Sequence, residues 1–123
     1  MNFRLKTSFQ TGEKLVALQS TTGFTWNILS RLAVSLSLQD PTMPTLVDDK
    51  TGLEIHRNAM TGENDYIFKA LIRQHAKQNI SDEEYFPDLF NAHLERGIAL
   101  LDNEYKYAGN YEKFLLSLLT MEV

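Results

Sequence analysis

Residues 2–10, NFRLKTSFQ, alternate between two faces: Phe3, Leu5, Thr7 and Phe9 on one, Asn2, Arg4, Lys6, Ser8 and Gln10 on the other. A period of two marks a half-buried strand, because successive side chains of an extended chain point to opposite sides. The backbone N–H and C=O groups of a strand need a second strand beside them. No clear partner lies nearby in the sequence. Leu53-Glu54-Ile55-His56-Arg57 alternates weakly, the pattern of a short strand. A second copy of the chain is one solution to the front strand's need for a partner. The front strand thus constrains the whole fold, since it must find something to pair with.

Everything else with a clear apolar pattern has the spacing of helices. Thr11 is expected to cap a short helix over about Gly12 to Thr22, with Leu15 and Leu18 facing inward and Gly23 ending it. Thr25 is the expected N-cap of the next helix, flanked by a Phe24–Leu29 hydrophobic staple. At 100° per residue, Ile28, Leu29, Leu32, Ala33 and Leu36 form one apolar arc, with Asn27, Ser30, Arg31, Ser35 and Ser37 opposite. Val34 and Leu38 interrupt that polar side, which calls for a second neighbour such as another subunit. Residues 39–60 read as loop and turn, from Pro41, Pro44, Asp48-Asp49 and Thr51-Gly52. Thr61-Gly62 opens a helix to about Gln78, with Ile67, Phe68, Leu71 and Ile72 as core positions. Ser81-Asp82-Glu83-Glu84 is a capping box. Pro87 suits a first turn, so a helix is expected from there to about Leu101, with Phe90, Leu94, Ile98 and Leu101 inward. Asn110 caps a last helix that buries Phe114, Leu115, Leu118 and Leu119.

The fold class that follows is mainly α: a small helical domain with a short N-terminal strand. The 123 residues form one domain: a ribbon–helix–helix-like basic part (1–39, strand–helix–helix), a loop with a candidate short strand (40–60) and a helical bundle (61–123). In ribbon–helix–helix proteins two chains pair their strands into a ribbon that enters the major groove. Thirteen aromatics and 43% apolar residues supply a core. No run of about 18 apolar residues spans a membrane, and the first residues lack the apolar centre of a secretory signal. A cytoplasmic protein is expected.

Charge is unevenly distributed. Residues 1–39 carry Arg4, Lys6, Lys14 and Arg31 against Glu13 alone, a balance of +3, while residues 40–123 carry −7. Such a chain can turn its front to a polyanion and its back away, although two ordinary solvated halves would look the same. Arg4 and Lys6 lie on the polar face of the strand. Lys14 lies near the start of the first helix. Thr25 and Asn27 begin the second helix, where free N–H groups and the helix dipole favour an anion. Arg31 follows one turn later. Each has a plainer reading: capping for Thr25 and Asn27, packing for Trp26, and a surface ion pair for Arg31. Arg4, Lys6, Lys14, Thr25, Asn27 and Arg31 are together the candidate nucleic-acid-binding residues, suited to phosphate contact rather than base reading.

Little else suggests chemistry. No cysteine is present, which excludes disulfides, thiolate nucleophiles and thiolate-bound zinc or iron–sulfur clusters in this chain. His56, His75 and His93 fall on separate expected elements without metal-ligand spacing, so no metal and no cofactor is expected. The carboxylates at 82–84 suit a helix start, and Asp48-Asp49 suits a turn. There is no Gly-x-Ser-x-Gly elbow and no phosphate-binding glycine loop. No catalytic residue is nominated, and no enzyme is expected.

Thr22-Gly23-Phe24-Thr25-Trp26-Asn27-Ile28-Leu29-Ser30-Arg31-Leu32-Ala33, followed by Ser35-Leu36-Ser37-Leu38, resembles the DNA sulfur modification protein DndE family. So does Gly52-Leu53-Glu54-Ile55-His56-Arg57 running into Thr61-Gly62-Glu63-Asn64-Asp65. The resemblance covers most of the chain. It implies a role in DNA phosphorothioation, a homotetramer, binding to double-stranded and particularly nicked DNA through basic residues, and other subunits of the modification complex as partners. Sulfur relay needs a thiolate or persulfide, so those partners would carry the chemistry. The leading expectation is a non-catalytic DNA-binding subunit. An oligomeric scaffold that docks partner subunits and a ribbon–helix–helix transcription regulator are the alternatives.

Overall fold

The computed structural model describes residues 3–120; Asn2, counted above in the alternation, lies outside the described residues. Strand β1, Arg4–Lys6, pairs antiparallel with β2, Glu54–His56, placing Arg4 opposite His56, Leu5 opposite Ile55 and Lys6 opposite Glu54. Flanking bonds lengthen the pair. The Arg57 N–H donates to the Phe3 carbonyl at 2.7 Å, and the Thr7 N–H donates to the Leu53 carbonyl at 2.9 Å. The weakly alternating segment therefore supplies the missing partner, within the same chain. Leu5 and Ile55 are buried, whereas Arg4, Lys6, Glu54 and His56 stay at the surface.

The strand is shorter than its alternation suggests, because α1 (Phe9–Thr22) begins at Phe9, which is exposed. Ser8, not Thr11, is the N-cap: its Oγ accepts the Thr11 N–H at 3.1 Å. Thr11 is buried in the first turn and donates its hydroxyl to Glu95 Oε2 at 2.5 Å. The loop before β2 packs tightly here. A Cβ on Gly52 would lie 2.1 Å from the Ser8 carbonyl oxygen, so only glycine fits. Gly23 ends α1 in the left-handed region, φ 77°, as expected.

Helix α2 (Trp26–Leu38) starts after Thr25 as expected, but buries a different face. Leu29, Ser30, Ala33, Val34 and Ser37 point inward; Ile28 is exposed, and Leu32 and Leu36 are half-buried. The reason is the close approach of α5 (Phe90–Ala108). A Cβ on Gly97 would lie 1.8 Å from the Ala33 carbonyl oxygen. Small residues at such a crossing let the two backbones nearly touch, so serines share the buried face with leucine. Val34 finds its cover inside its own chain.

The helix expected from Thr61 to about Gln78 opens as a 3₁₀ turn over Gly62–Asn64 and continues as α4 (Asp65–Ala76); a short helix, α3 (Arg57–Met60), precedes it where loop was expected. Phe68 and Ile72 are buried; Ile67 and Leu71, expected in the core, are exposed because α4 lays only a narrow stripe inward. The capping box forms. The Glu84 N–H donates to Ser81 Oγ at 3.1 Å, and the Ser81 N–H donates to Glu84 Oε1 at 3.0 Å. Phe86 is then extended (φ −133°, ψ 124°), as suits a residue preceding proline. Phe86 is the one break in Glu84–Leu89, so the chain turns helical again from Pro87, as expected, and continues as α5 past Leu101 to Ala108. Phe90, Leu94, Ile98 and Leu101 are buried as expected. Helix α6 (Tyr111–Thr120) is capped by Asn110, whose Oδ1 accepts the Lys113 N–H at 2.9 Å. It buries Phe114 against Tyr105, half-buries Leu115 and Leu118, and leaves Leu119 exposed. No helix among the described residues is long and apolar enough to cross a membrane.

Candidate nucleic-acid interface

The paired strands project Arg4 and Lys6 outward beside a groove of about 450 Å³. Lys50 adds a third cation to its walls, while Asp48, Glu54 and Asp88 add three carboxylates. Local charge is therefore balanced, and the groove is no anion trap. Arg4 makes an ion pair with Glu54 at 3.7 Å, with 62% and 45% of the two side chains exposed, so the pair is loose and easily exchanged. Asn91 supports the strand from beneath: its Nδ2 donates to the Lys6 carbonyl at 3.0 Å.

The other nominated residues do not line this groove. Lys14 is half-buried on α1. Neither Lys6 nor Lys14 has an ion pair among the described residues. Thr25 donates its hydroxyl to Asn27 Oδ1 and caps no backbone N–H of α2. Trp26 packs against the core, as its plainer reading held. Arg31 has no carboxylate partner among the described residues, so its ion-pair reading does not hold. Its Nε–H donates to the Met60 carbonyl at 2.7 Å, tying α2 to the end of α3.

Two polar clusters escaped the sequence reading. Arg57, at the β2–α3 junction, is buried and donates to Asp65 at 2.7 and 3.0 Å and to Asp82 at 2.8 and 3.0 Å. It also lies 5.1 Å from the ring centres of Tyr85 and Phe86. Its hydrogen bonds hold Asp82 down at about 2. Burial alone would raise Asp65; bonds from Arg57, Thr61 and Tyr85 outweigh it and hold that carboxyl low as well. Tyr85 is pushed above its ordinary range by burial, with Asp65 adding to the effect. The acidic run at 82–84 thus does more than favour a helix start.

The second cluster joins α2, α4 and α5. Arg96 donates from Nε to Ser37 Oγ at 2.8 Å and from Nη2 to the Ser37 carbonyl at 2.8 Å. Ser37 Oγ lies 2.8 Å from His93 Nδ1. The ring of His93 meets that of His75 edge to face at 4.7 Å, and His75 Nε2 lies 2.6 Å from the Asp40 carbonyl. Burial, then His75 and Arg96, push His93 down to about 4, so the ring is neutral at ordinary pH. His93 is fully buried. His56 stands apart, exposed on β2. Ser37 and His93 are both sealed from solvent, so the pair serves packing and registry. A signal for it was available: His93 and Arg96, three apart, share one helix face.

Comparison with known proteins gives a consistent picture. The family model described as DNA sulphur modification protein DndE matches residues 4–109, leaving α6 outside the match. The crystal structure of DndE from Escherichia coli B7A, involved in DNA phosphorothioation modification, is similar at 25% identity and a TM-score of 0.66. That similarity covers 80% of this chain and 97% of the other. A DndE mutant with two glycines changed to lysine, also involved in DNA phosphorothioation, is similar at 25% identity and a TM-score of 0.63, over 84% and 99% of the two chains. No curated protein matches the chain.

Proposed function

Because this chain belongs to the DNA sulphur modification protein DndE family, we propose that it serves DNA phosphorothioation as a non-catalytic subunit that contacts the backbone of double-stranded or nicked DNA. The observation that carries this reading is the state of the front lysines. Lys6 is exposed and Lys14 half-exposed, neither held by a carboxylate among the described residues. Arg4 is bound loosely enough to exchange Glu54 for a phosphate. Thr25 and Asn27 at the start of α2 assist, and Arg31 serves chiefly to hold the element behind them. Sulfur relay requires a thiolate or persulfide, and the chain has no cysteine, so partner subunits supply the reaction.

Local carboxylates keep the affinity of one copy modest. A homo-oligomer, a tetramer by the resemblance, would gather several front ends on one duplex and raise the binding by linkage alone. Replacing both lysines, Lys6→Glu and Lys14→Glu, should weaken binding about equally on unrelated duplex sequences. Phosphates position a protein without reporting sequence. Unchanged affinity in the double variant would remove these positions from the interface.

One observation favours the scaffold as a second reading. Phe9 and Val16 are exposed beside a largely apolar hollow of about 440 Å³ that no cation lines. Partner subunits retained after nuclease treatment, by a protein without measurable duplex affinity, would select that reading. Against the regulator stands the pairing of β1 with β2 inside the chain, which leaves no need for a second copy to complete the strand.

A further inference from the structure

We propose a second phosphate-contact surface on the outward side of α4, formed by Arg73 and Lys77 and framed by the amides of Gln74, Gln78 and Asn79. The inference rests on the DNA-contact reading above and adds a face it does not contain.

Only Phe68 and Ile72 anchor α4 in the core. At 100° per residue, Tyr66, Ala70 and Arg73 fall within about 60° of one another on the side facing away from those anchors. Tyr66 is 71% exposed, and Ala70 and Arg73 are exposed too. Lys77 follows as the residue that ends the helix, also exposed. Ala70, Arg73, Lys77 and the three amides surround a shallow hollow of about 660 Å³. Its walls carry two cations and no carboxylate, unlike the groove beside β1, where acids match the cations. Lys69, one turn before Arg73, is already paired with Asp82 at 3.4 Å; Arg73 and Lys77 have no ion pair among the described residues.

Cations at the last turn also complement the helix dipole, which accounts for one of them. It does not account for the choice at position 77. Lys77 has φ 59°, a left-handed conformation that helix ends ordinarily give to glycine or asparagine. A long cation is held there instead, beside amides that can donate to phosphate oxygens. Ala70 leaves the middle of the stripe low, so a duplex backbone can approach both charges. The chemistry fits a row of phosphodiesters, read without regard to base.

The test uses the full chain and a short fluorescein-labelled duplex, with anisotropy followed across a salt series. Each phosphate contact contributes about 0.9 to the fall of log affinity with log salt. Arg73→Gln with Lys77→Gln should lower that slope by about 1.8, and Arg73→Gln alone by about 0.9. The single variant leaves the strained position 77 untouched, so a folding defect there cannot imitate the result. Lys113→Gln, an exposed charge on α6, should leave the slope unchanged. An unaltered slope in the double variant overturns the α4 surface, and if Lys6→Glu with Lys14→Glu still weakens binding, the DNA-contact reading survives it. Absence of duplex binding by the unaltered protein at any salt overturns both.

Discussion

Single residues fix this fold at three places, and each gives a test. Gly97 touches the Ala33 backbone, which cannot yield as a side chain can. Gly97→Ala should therefore cost about 3 kcal/mol in urea unfolding, at the upper end for overpacking. Arg57→Met leaves Asp65 and Asp82 without the guanidinium that both accept from; removing one partner of a buried ion pair costs about 3–5 kcal/mol. His93 makes stability depend on pH. Unfolded, the ring binds a proton near 6.5; folded, only near about 4. Between these values the unfolded state holds more protons. The His93 contribution is thus complete above pH 6.5 and is lost as pH falls towards 4, by roughly 3 kcal/mol. His93→Gln should flatten that part of the curve. The sequence displayed local devices at this scale: Gly23, Asn110 and the Ser81–Glu84 box act within a few positions of themselves. It hid Arg57 and His93 because their partners Asp82 and Ser37 lie 25 and 56 positions away.

Among the elements, periodicity located the helices and was less able to orient them. The face of α2 turned because α5 presents a glycine, and a close crossing favours small residues over large ones. The helix expected from Thr61 opens instead as a 3₁₀ turn before α4, behind the separate short helix α3, which Thr61 closes by bonding back to the Arg57 carbonyl at 3.0 Å. The front strand was legible as a strand, yet its partner was not, since three residues of weak alternation in β2 carry little signal. Ser8 was missed as a cap because the alternation counted it as strand. It serves twice, accepting from Thr11 and donating to Glu95 at 2.8 Å. Ser8→Ala should therefore lower stability by about 1–2 kcal/mol, read as a shift in thermal midpoint. A Ser8→Asp replacement should not restore it, because a second carboxylate would face Glu95.

For the whole molecule, the family resemblance was readable from two segments, and the match over residues 4–109 bears it out. The candidate interface was only partly readable. Charge counting along the chain found the +3 front, but could not see that Asp48, Glu54 and Asp88 fold back beside Arg4 and Lys6, or that Arg31 bonds the Met60 carbonyl. Nor could it see that α4 would turn Arg73 and Lys77 outward from an acidic half. The central claim is that exposed cations dock this protein on the DNA backbone. Its most direct test is the salt dependence of the unaltered protein's affinity for a duplex of arbitrary sequence. Lys6, Lys14 and Arg4 predict a straight log–log line falling with a slope of at least about −2.7, three contacts at about 0.9 each. A flat line, or binding confined to one sequence, would contradict the account.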